Sequence, residues 1–236
     1  MAHCYYVEAL DVAVGDRVVL GADDARHAAT VSRARVGEHV LVADGRGTVC
    51  EAVFAEVRPE VALEVRAIRH DPVPTPRIGL AQALAKGDRA ELAIQAATEL
   101  GVDVVVPWQA QRSIVTWRGE RAAKSLARWR TIVREAGKQS LRAHVPEVVE
   151  AIDTRSLAAL ADRWRLVVLE PTATASLASL EPDGRDVLLV VGPEGGIAPD
   201  ELDALGGEHV RMGQHVVRTS TAGPAAIAAL ASRWRW

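Results

Sequence analysis

The chain is poor in the residues that carry the commoner kinds of protein chemistry. Among 236 residues there are two cysteines, Cys4 and Cys50, too few for a disulfide framework or a thiolate zinc cage. No run of 18 apolar residues occurs, so no transmembrane helix is expected. The first residues, Met-Ala-His-Cys-Tyr-Tyr, lack the basic-then-apolar layout of a secretion signal, and a cytoplasmic protein is the expectation. His27, His39, His144, His209 and His215 share no metal-ligand spacing, and no Ser-His-Asp order or reactive cysteine context is evident. No metal is expected. Internal repeats and low-complexity tracts are also lacking.

What is present is enough apolar material for a core. The hydrophobic content is 49%, which suits one large or two small domains. Net charge is only −3, but the charge is unevenly spread. Residues 1–76 carry eight Arg against twelve Asp and Glu, whereas residues 112–142 carry nine Arg and Lys against two Glu, a local excess of +7. An excess of that size can bind phosphate, or it can be a solvated helix face.

His70-Asp-Pro-Val-Pro-Thr-Pro76 marks a boundary, because three prolines in five residues resist helix and sheet. Before it the chain is β-rich. Residues 38–43, 48–54 and 61–68 are short β-type runs, Asp44-Gly45 signals a hairpin, and one helix is expected over 23–32. A barrel of about seventy residues fits. After the boundary, strands and helices alternate. Strands are expected over 78–84, 102–107, 166–169 and 187–191, and helices over 88–100, 120–141, 156–164, 199–205 and 219–234. The near-continuous apolar strands predict a parallel sheet covered on both faces, hence an α/β domain over 77–236.

Two loops near the end stand out. Gly192-Pro-Glu-Gly-Gly196 follows a buried strand, and Arg218-Thr-Ser-Thr-Ala222 opens a helix. The first is neither a GxGxxG fingerprint nor a P-loop. Its glycines suit a tight turn or close approach of a ligand, and Gly195 is expected to need either that space or a positive φ. In the second, Thr219 or Ser220 is expected as the N-cap, with free N–H groups for an anion. Arg218 lies where the helix dipole disfavours a cation, which points to a functional or ion-paired role. The small residues Ala222, Gly223, Ala225, Ala226, Ala228 and Ala229 predict close packing, within the fold or across a dimer. Of the six tryptophans, only Trp117 and Trp129 lie in the basic segment, where they are candidates for stacking on RNA bases.

Taken together, these motifs resemble the RsmE-type 16S rRNA uracil-N3 methyltransferases of the SPOUT superfamily. The resemblance runs through His27, Arg33, Val36-Gly37 and Asp44-Gly45, then Lys86-Gly-Asp-Arg-Ala-Glu91, Ile94-Gln95, Thr98-Glu-Leu-Gly101, Arg112-Ser113, Trp129 to Glu135, Gln139-Ser140 and Val145-Pro-Glu147. It ends in Gly192 to Gly196, Glu201-Leu202, Met212-Gly213, Val217-Arg-Thr and Thr221-Ala222. It implies a PUA-like RNA-binding barrel (1–70), a linker (71–76) and a trefoil-knotted methyltransferase domain (77–236), one of the rare knotted folds. It also implies a homodimer using S-adenosylmethionine on 16S rRNA of the small ribosomal subunit.

Carried over by position, the cofactor residues are Leu169, Glu170, Pro171, Gly192, Pro193, Glu194, Gly195, Gly196, Met212, Gly213, Val216, Val217, Arg218, Thr219, Thr221 and Ala222. Arg218, Arg89, Glu99 and Glu194 are the catalytic candidates, with the arginines stabilising charge and either glutamate accepting the N3 proton. Arg33, Lys86, Arg112, Arg128, Arg134 and Lys138 are the candidate RNA contacts. The chain departs from the family pattern in three places: His3-Cys4-Tyr5-Tyr6 at the start, Lys138 before Gln139, and Ser220 where a glutamate is common. A ribose 2′-O-methyltransferase on the same scaffold and a non-catalytic RNA-binding assembly factor are the alternatives.

Overall fold

The stretch from Asp71 to Arg77 is neither helix nor strand, and the chain divides within it. The computed structural model describes residues 3–236, which form two compact units. One is the chain up to Val73 together with Gly137–Val145, and the other is Pro74–Ala136 together with Pro146–Trp236.

The first unit contains β1 (Cys4–Tyr6), β2 (Arg17–Val19), α1 (Ala22–Arg26), β3 (His39–Ala43), β4 (Thr48–Glu56) and β5 (Ala62–His70). Its sheet has the order β1-β3-β4-β5-β2, antiparallel except for the parallel β1–β3 pair. The expected helix over 23–32 is a five-residue helix continued by a wider π-type turn over His27–Val31. The β3–β4 connection turns on Asp44, whose Oδ1 accepts the N–H groups of Arg46 (2.7 Å) and Thr48 (3.0 Å). Tyr5, Val42, Cys50, Phe54 and Leu63 lie in its core.

Residues 137–145 complete this unit. Tyr6 donates its hydroxyl to the Arg142 carbonyl at 2.7 Å, and the Gly47 N–H reaches the Ala143 carbonyl at 3.0 Å. Lys138 pairs with Asp24 at 2.8 Å, both side chains being largely buried. Cys4, Tyr6, Ala43, Val49 and Ala143 form a second apolar cluster. Burial there pushes the Cys4 thiol up to about 11, so it is a packing residue rather than a nucleophile. The aromatic pair at the start of the chain is likewise core, Tyr5 and Tyr6 being buried.

The second unit contains β6 (Ile78–Ala83), α2 (Arg89–Glu99), β7 (Val104–Gln109), α3 (Gly119–Gln139, its last turn counted with the first unit), β8 (Glu147–Val148) and β9 (Ile152–Asp153). Next come α4 (Thr154–Ala158), β10 (Arg165–Leu169), β11 (Ala175–Ser176), β12 (Val187–Val191), α5 (Pro199–Leu205), β13 (Glu208–Arg211) and α6 (Thr219–Trp234). The sheet order is β11-β13-β10-β12-β6-β7-β8, with β9 also on β7, and every pairing is parallel. β6 and β12 are buried along their whole length, as a sheet covered on both faces requires. Each fully buried Leu or Ile there contributes roughly 1.5–3 kcal/mol.

The last part of the chain runs from the far side of the sheet back to its centre. After β13, which lies beyond β10, α6 packs against α2, β6 and β12. Part of its small-residue stripe is consumed in that packing, while Ala225 and Ala228 are half-buried and Ala229 is exposed. Ala222, Gly223, Ala226 and Ala231 are buried, and a Cβ on Gly223 would lie 2.8 Å from Leu80 Cδ1. The buried part of the stripe therefore serves packing within the chain.

Ion pairs bind the edge where the strands begin. Arg77, just before β6, meets Asp186, just before β12, at 2.8 Å and covers the Trp164 ring at 5.0 Å. Arg165 and Glu208, at the starts of β10 and β13, pair at 2.5 Å. Among the described residues no helix is long and apolar enough to cross a membrane.

Candidate cofactor and substrate site

The opposite edge, where the parallel strands end, carries loops rather than ion pairs, and it is where open α/β sheets bind ligands. The loops after β10, β12 and β13 enclose a cavity of about 490 Å³, within the usual range for small-molecule sites. Leu169, Val191, Ile197 and Met212 supply apolar wall, while Arg89, Glu170, Glu194, Arg211, His215 and Arg218 supply charge or polarity.

The loop after β12 explains its own glycines, though not as the sequence suggests. A Cβ on Gly192 would lie 2.6 Å from Ile197 Cγ1, so the loop closes only with glycine there. Gly196 has φ +72°, in the left-handed region. Gly195 has neither constraint: its φ is not in that region, and a Cβ would meet Arg112 at an ordinary 3.5 Å. Nor does Gly195 line the cavity.

Three interactions hold this loop. Thr219 donates its hydroxyl to the Gly192 carbonyl at 2.8 Å. Arg89 pairs with Glu194 at 2.7 Å, supported by the Lys86 N–H at 3.3 Å. Arg112 donates to the Gly195 carbonyl at 3.0 Å. Burial alone would raise the Glu194 carboxyl, but its backbone hydrogen bond, the Arg89 guanidinium and the Lys86 N–H outweigh burial and hold it below the ordinary value. A carboxylate so held is a weakened base.

At the start of α6, Arg218 itself is the N-cap residue, and no side chain caps the helix. Thr219, an N-cap candidate from the sequence, is instead the first helical residue, and its hydroxyl is spent on Gly192. The Thr221 and Ala222 N–H groups close on the Arg218 carbonyl at 2.8 and 2.9 Å, which leaves the N–H groups of Thr219 and Ser220 at the positive end of the dipole. Arg218 is exposed and has no ion-pair partner among the described residues. It is thus an uncommitted cation on the cavity wall, whereas Arg89 is neutralised by Glu194.

Known proteins share this architecture. Residues 72–231 match the RNA methyltransferase domain family, and residues 20–64 match the RNA methyltransferase PUA domain family. A ribosomal RNA small subunit methyltransferase E from Mycobacterium bovis is 41% identical over 99% of this chain and 94% of its own length. The chain belongs to the ribosomal RNA small subunit methyltransferase E family. The Bacillus subtilis member is 30% identical over 88% of this chain and 87% of its own. Among solved structures, the Neisseria gonorrhoeae methyltransferase E bound to S-adenosyl methionine matches with a TM-score of 0.89 and 30% identity, covering 99% of this chain and 98% of that one. A Legionella pneumophila methyltransferase, also in complex with that cofactor, matches with a TM-score of 0.87 and 26% identity, at the same coverage. The expected arrangement, a PUA-like unit before an α/β RNA methyltransferase unit, holds.

Of the cofactor residues carried over from the methyltransferase E family, all line the cavity except Gly195 and Thr221. Val191, Ile197 and Arg211 line it without having been singled out for it, and Gln214 and His215, inside the expected Met212–Ala222 cofactor loop, line it too. Val191 and Ile197 flank the glycine loop, and that position is the signal that could have found them. Glu99 is not brought to the site. It lies ten residues along α2 from Arg89, about 15 Å of helical rise, and accepts a hydrogen bond from Gln95.

The candidate RNA-binding residues scatter. Arg33 lies in the first unit, exposed and at φ 50°. Lys86 is exposed. Arg112 is committed to Gly195, Arg128 to Glu91 at 2.5 Å, and Lys138 to Asp24. Trp129 is buried and meets Trp117 edge to face at 5.0 Å, which removes it as a stacking platform. Arg134 is half-buried in α3.

The loop geometry makes a paired prediction. Gly192→Ala should weaken S-adenosylmethionine binding about tenfold or more, since overpacking costs roughly 1–3 kcal/mol. Gly195→Ala should bind nearly as the wild type does. Calorimetric titration of both reads the difference, and equal losses would contradict the geometry.

Proposed function

We propose that this protein methylates N3 of a uridine in 16S rRNA of the small ribosomal subunit, using S-adenosylmethionine. The observation that carries the reading is the cavity between the β10, β12 and β13 loops, in a chain of this family, with an uncommitted guanidinium on its wall. The residues fit the cofactor. Apolar side chains offer a surface for the adenine ring, the Gly192 turn excludes a Cβ, and the N–H groups of Thr219 and Ser220 at the helix start can receive the carboxylate. Bound, S-adenosylmethionine supplies an electrophilic methyl group.

The chain's own task is to present N3 as a nucleophile. Uracil N3 carries a proton that must leave as the methyl group arrives. Arg218 is assigned to the carbonyl oxygens, where negative charge develops as the proton departs. Glu194 keeps its charge and fixes Arg89 and the loop. It is not the proton acceptor, and neither is the distant Glu99. The proton passes to solvent, to which Arg218, His215 and Val216 are open. Holding base and cofactor in line supplies much of the rate, up to ~7–11 kcal/mol for aligned reactants. N3 lies on the Watson–Crick edge, so the target uridine must be unpaired or flipped out.

The trefoil knot expected for this fold belongs to the same proposal, supported by the return of the chain from β13 to α6. So do a cytoplasmic location and a homodimer. Dimerisation is supported by exposed apolar side chains, Val216 at 80% and Val217 at 39% on the cavity wall and Leu92 at 52% on α2. RNA phosphates are assigned to exposed cations without ion-pair partners among the described residues, Arg33 and Lys86 and with them Arg118 and Arg121. Arg118 lines a second, shallower cleft of about 640 Å³ together with Arg155.

Methylation of small subunits lacking the modification, followed by mass analysis of the nucleosides, should give N3-methyluridine; a 2′-O-methyl product would replace this reading by the alternative chemistry. Arg218→Ala should lower kcat at least a hundredfold while changing cofactor affinity little, because its interaction forms in the transition state.

Charge reversal at Arg118 and Arg121 should flatten the salt dependence of RNA binding, by about 0.7–0.9 in slope for each phosphate no longer neutralised. An unchanged slope would return these residues to solvent.

Light scattering at micromolar concentration should give twice the chain mass, and Val216→Asp with Leu92→Asp should shift it toward one. An active monomer would end the dimer assignment.

A further inference from the structure

β6 is buried along its length, and one of its residues is chemically out of place. Gln82 lies between Ala81 and Ala83 with 0% exposure. Its Nε2 donates to Thr219 Oγ1 at 3.0 Å and to the Ala83 carbonyl at 3.3 Å. Thr219 Oγ1 donates in turn to the Gly192 carbonyl at 2.8 Å. Three distant parts of the chain are thereby joined in one line: the end of β6, the start of α6, and the loop after β12. The other half of the amide, Oε1, is buried and accepts from no group among the described residues.

A half-satisfied amide is a poor stabilising device in a strand core. An unpaired buried acceptor carries its full desolvation cost, and an apolar side chain of similar shape would avoid it. What the amide supplies, and an apolar residue cannot, is direction. With Nε2 turned to the Thr219 oxygen, the Thr219 hydroxyl must send its own proton elsewhere, and Gly192 is the acceptor in reach.

We propose that Gln82 and Thr219 act as positioning residues, a relay that fixes the Gly192 loop against the start of α6 and so sets the width of the cofactor cavity. The inference rests on the S-adenosylmethionine reading of that cavity. Gly192 opens one wall, and Thr219 follows directly on the Met212–Arg218 loop that forms the other. The relay spans the two walls from beneath, and Gln82 itself does not line the cavity. A local preference is broken in the core, and the gain appears at the site.

The test separates stability from affinity. Gln82→Met removes both the relay and the unpaired acceptor. It should leave the melting temperature of the full chain unchanged or higher, while the calorimetric Kd for S-adenosylmethionine rises about tenfold. Thr219→Val should raise Kd in the same direction, and Thr219→Ser, which keeps the hydroxyl, should restore it. A purely structural role would instead lower melting temperature and affinity together in Gln82→Met, and that result would overturn the proposal. Folded Gln82→Met with wild-type Kd would also overturn it. Failure of the wild-type chain to bind S-adenosylmethionine would remove the cofactor reading, and the relay with it.

Discussion

A sheet whose strands all run the same way imposes most of what is seen in the second unit. Each strand must be followed by a crossover that covers a face, so both faces are buried and every strand ends on one edge. That edge collects the backbone turns after β10, β12 and β13, while the starting edge is free to be locked by Arg77–Asp186 and Arg165–Glu208. Rigidity and chemistry are thereby divided between opposite edges of one sheet. The ion pairs are partly exposed, so each adds little alone; their value lies in register, since each joins two strands at or just before their first residues.

The cavity has a similar division among its charges. Of the arginines on its wall, Arg89 is tied to Glu194, and Arg211 donates to the Ala173 and Thr174 carbonyls at 3.0 and 2.6 Å. Arg112, just outside, holds Gly195. These side chains set loop shape. Arg218 has no such commitment, and its position at the helix start places it with the dipole's positive end. Two like fields converge on one spot, which is unfavourable for an empty protein and suited to a group that becomes anionic.

Much of this was legible in the residues. Val187 to Val191 is an unbroken apolar run ended by glycine, and Pro199 and the small residues after Arg218 mark helix starts, so these three elements lie where expected. The short strands were not legible. β13 reads Glu208-His-Val-Arg211, a half-polar tetrapeptide that is a strand only because β10 and β11 flank it. Charge partners were hidden for the same reason. Lys138 and Arg112 look like free cations in a basic segment, yet Asp24 lies 114 residues away and Gly195 lies 83 away. Composition records the excess charge but not its commitments. Glu99 and Glu194 were equal candidates as bases until helix rise put one out of reach and Arg89 neutralised the other.

The return of residues 137–145 to the first unit has a bearing on how the chain is made. The β5 strand is finished at His70, but the groups that cover Cys4 and satisfy Tyr6 and Gly47 arrive only with Ala143 and Arg142. During synthesis from the N-terminus, the first unit must therefore wait, with one apolar cluster open, while more than sixty intervening residues emerge. The chain passes between the units three times, at Val73, Ala136 and Val145. No single cut separates them, so neither unit can be excised as one continuous segment.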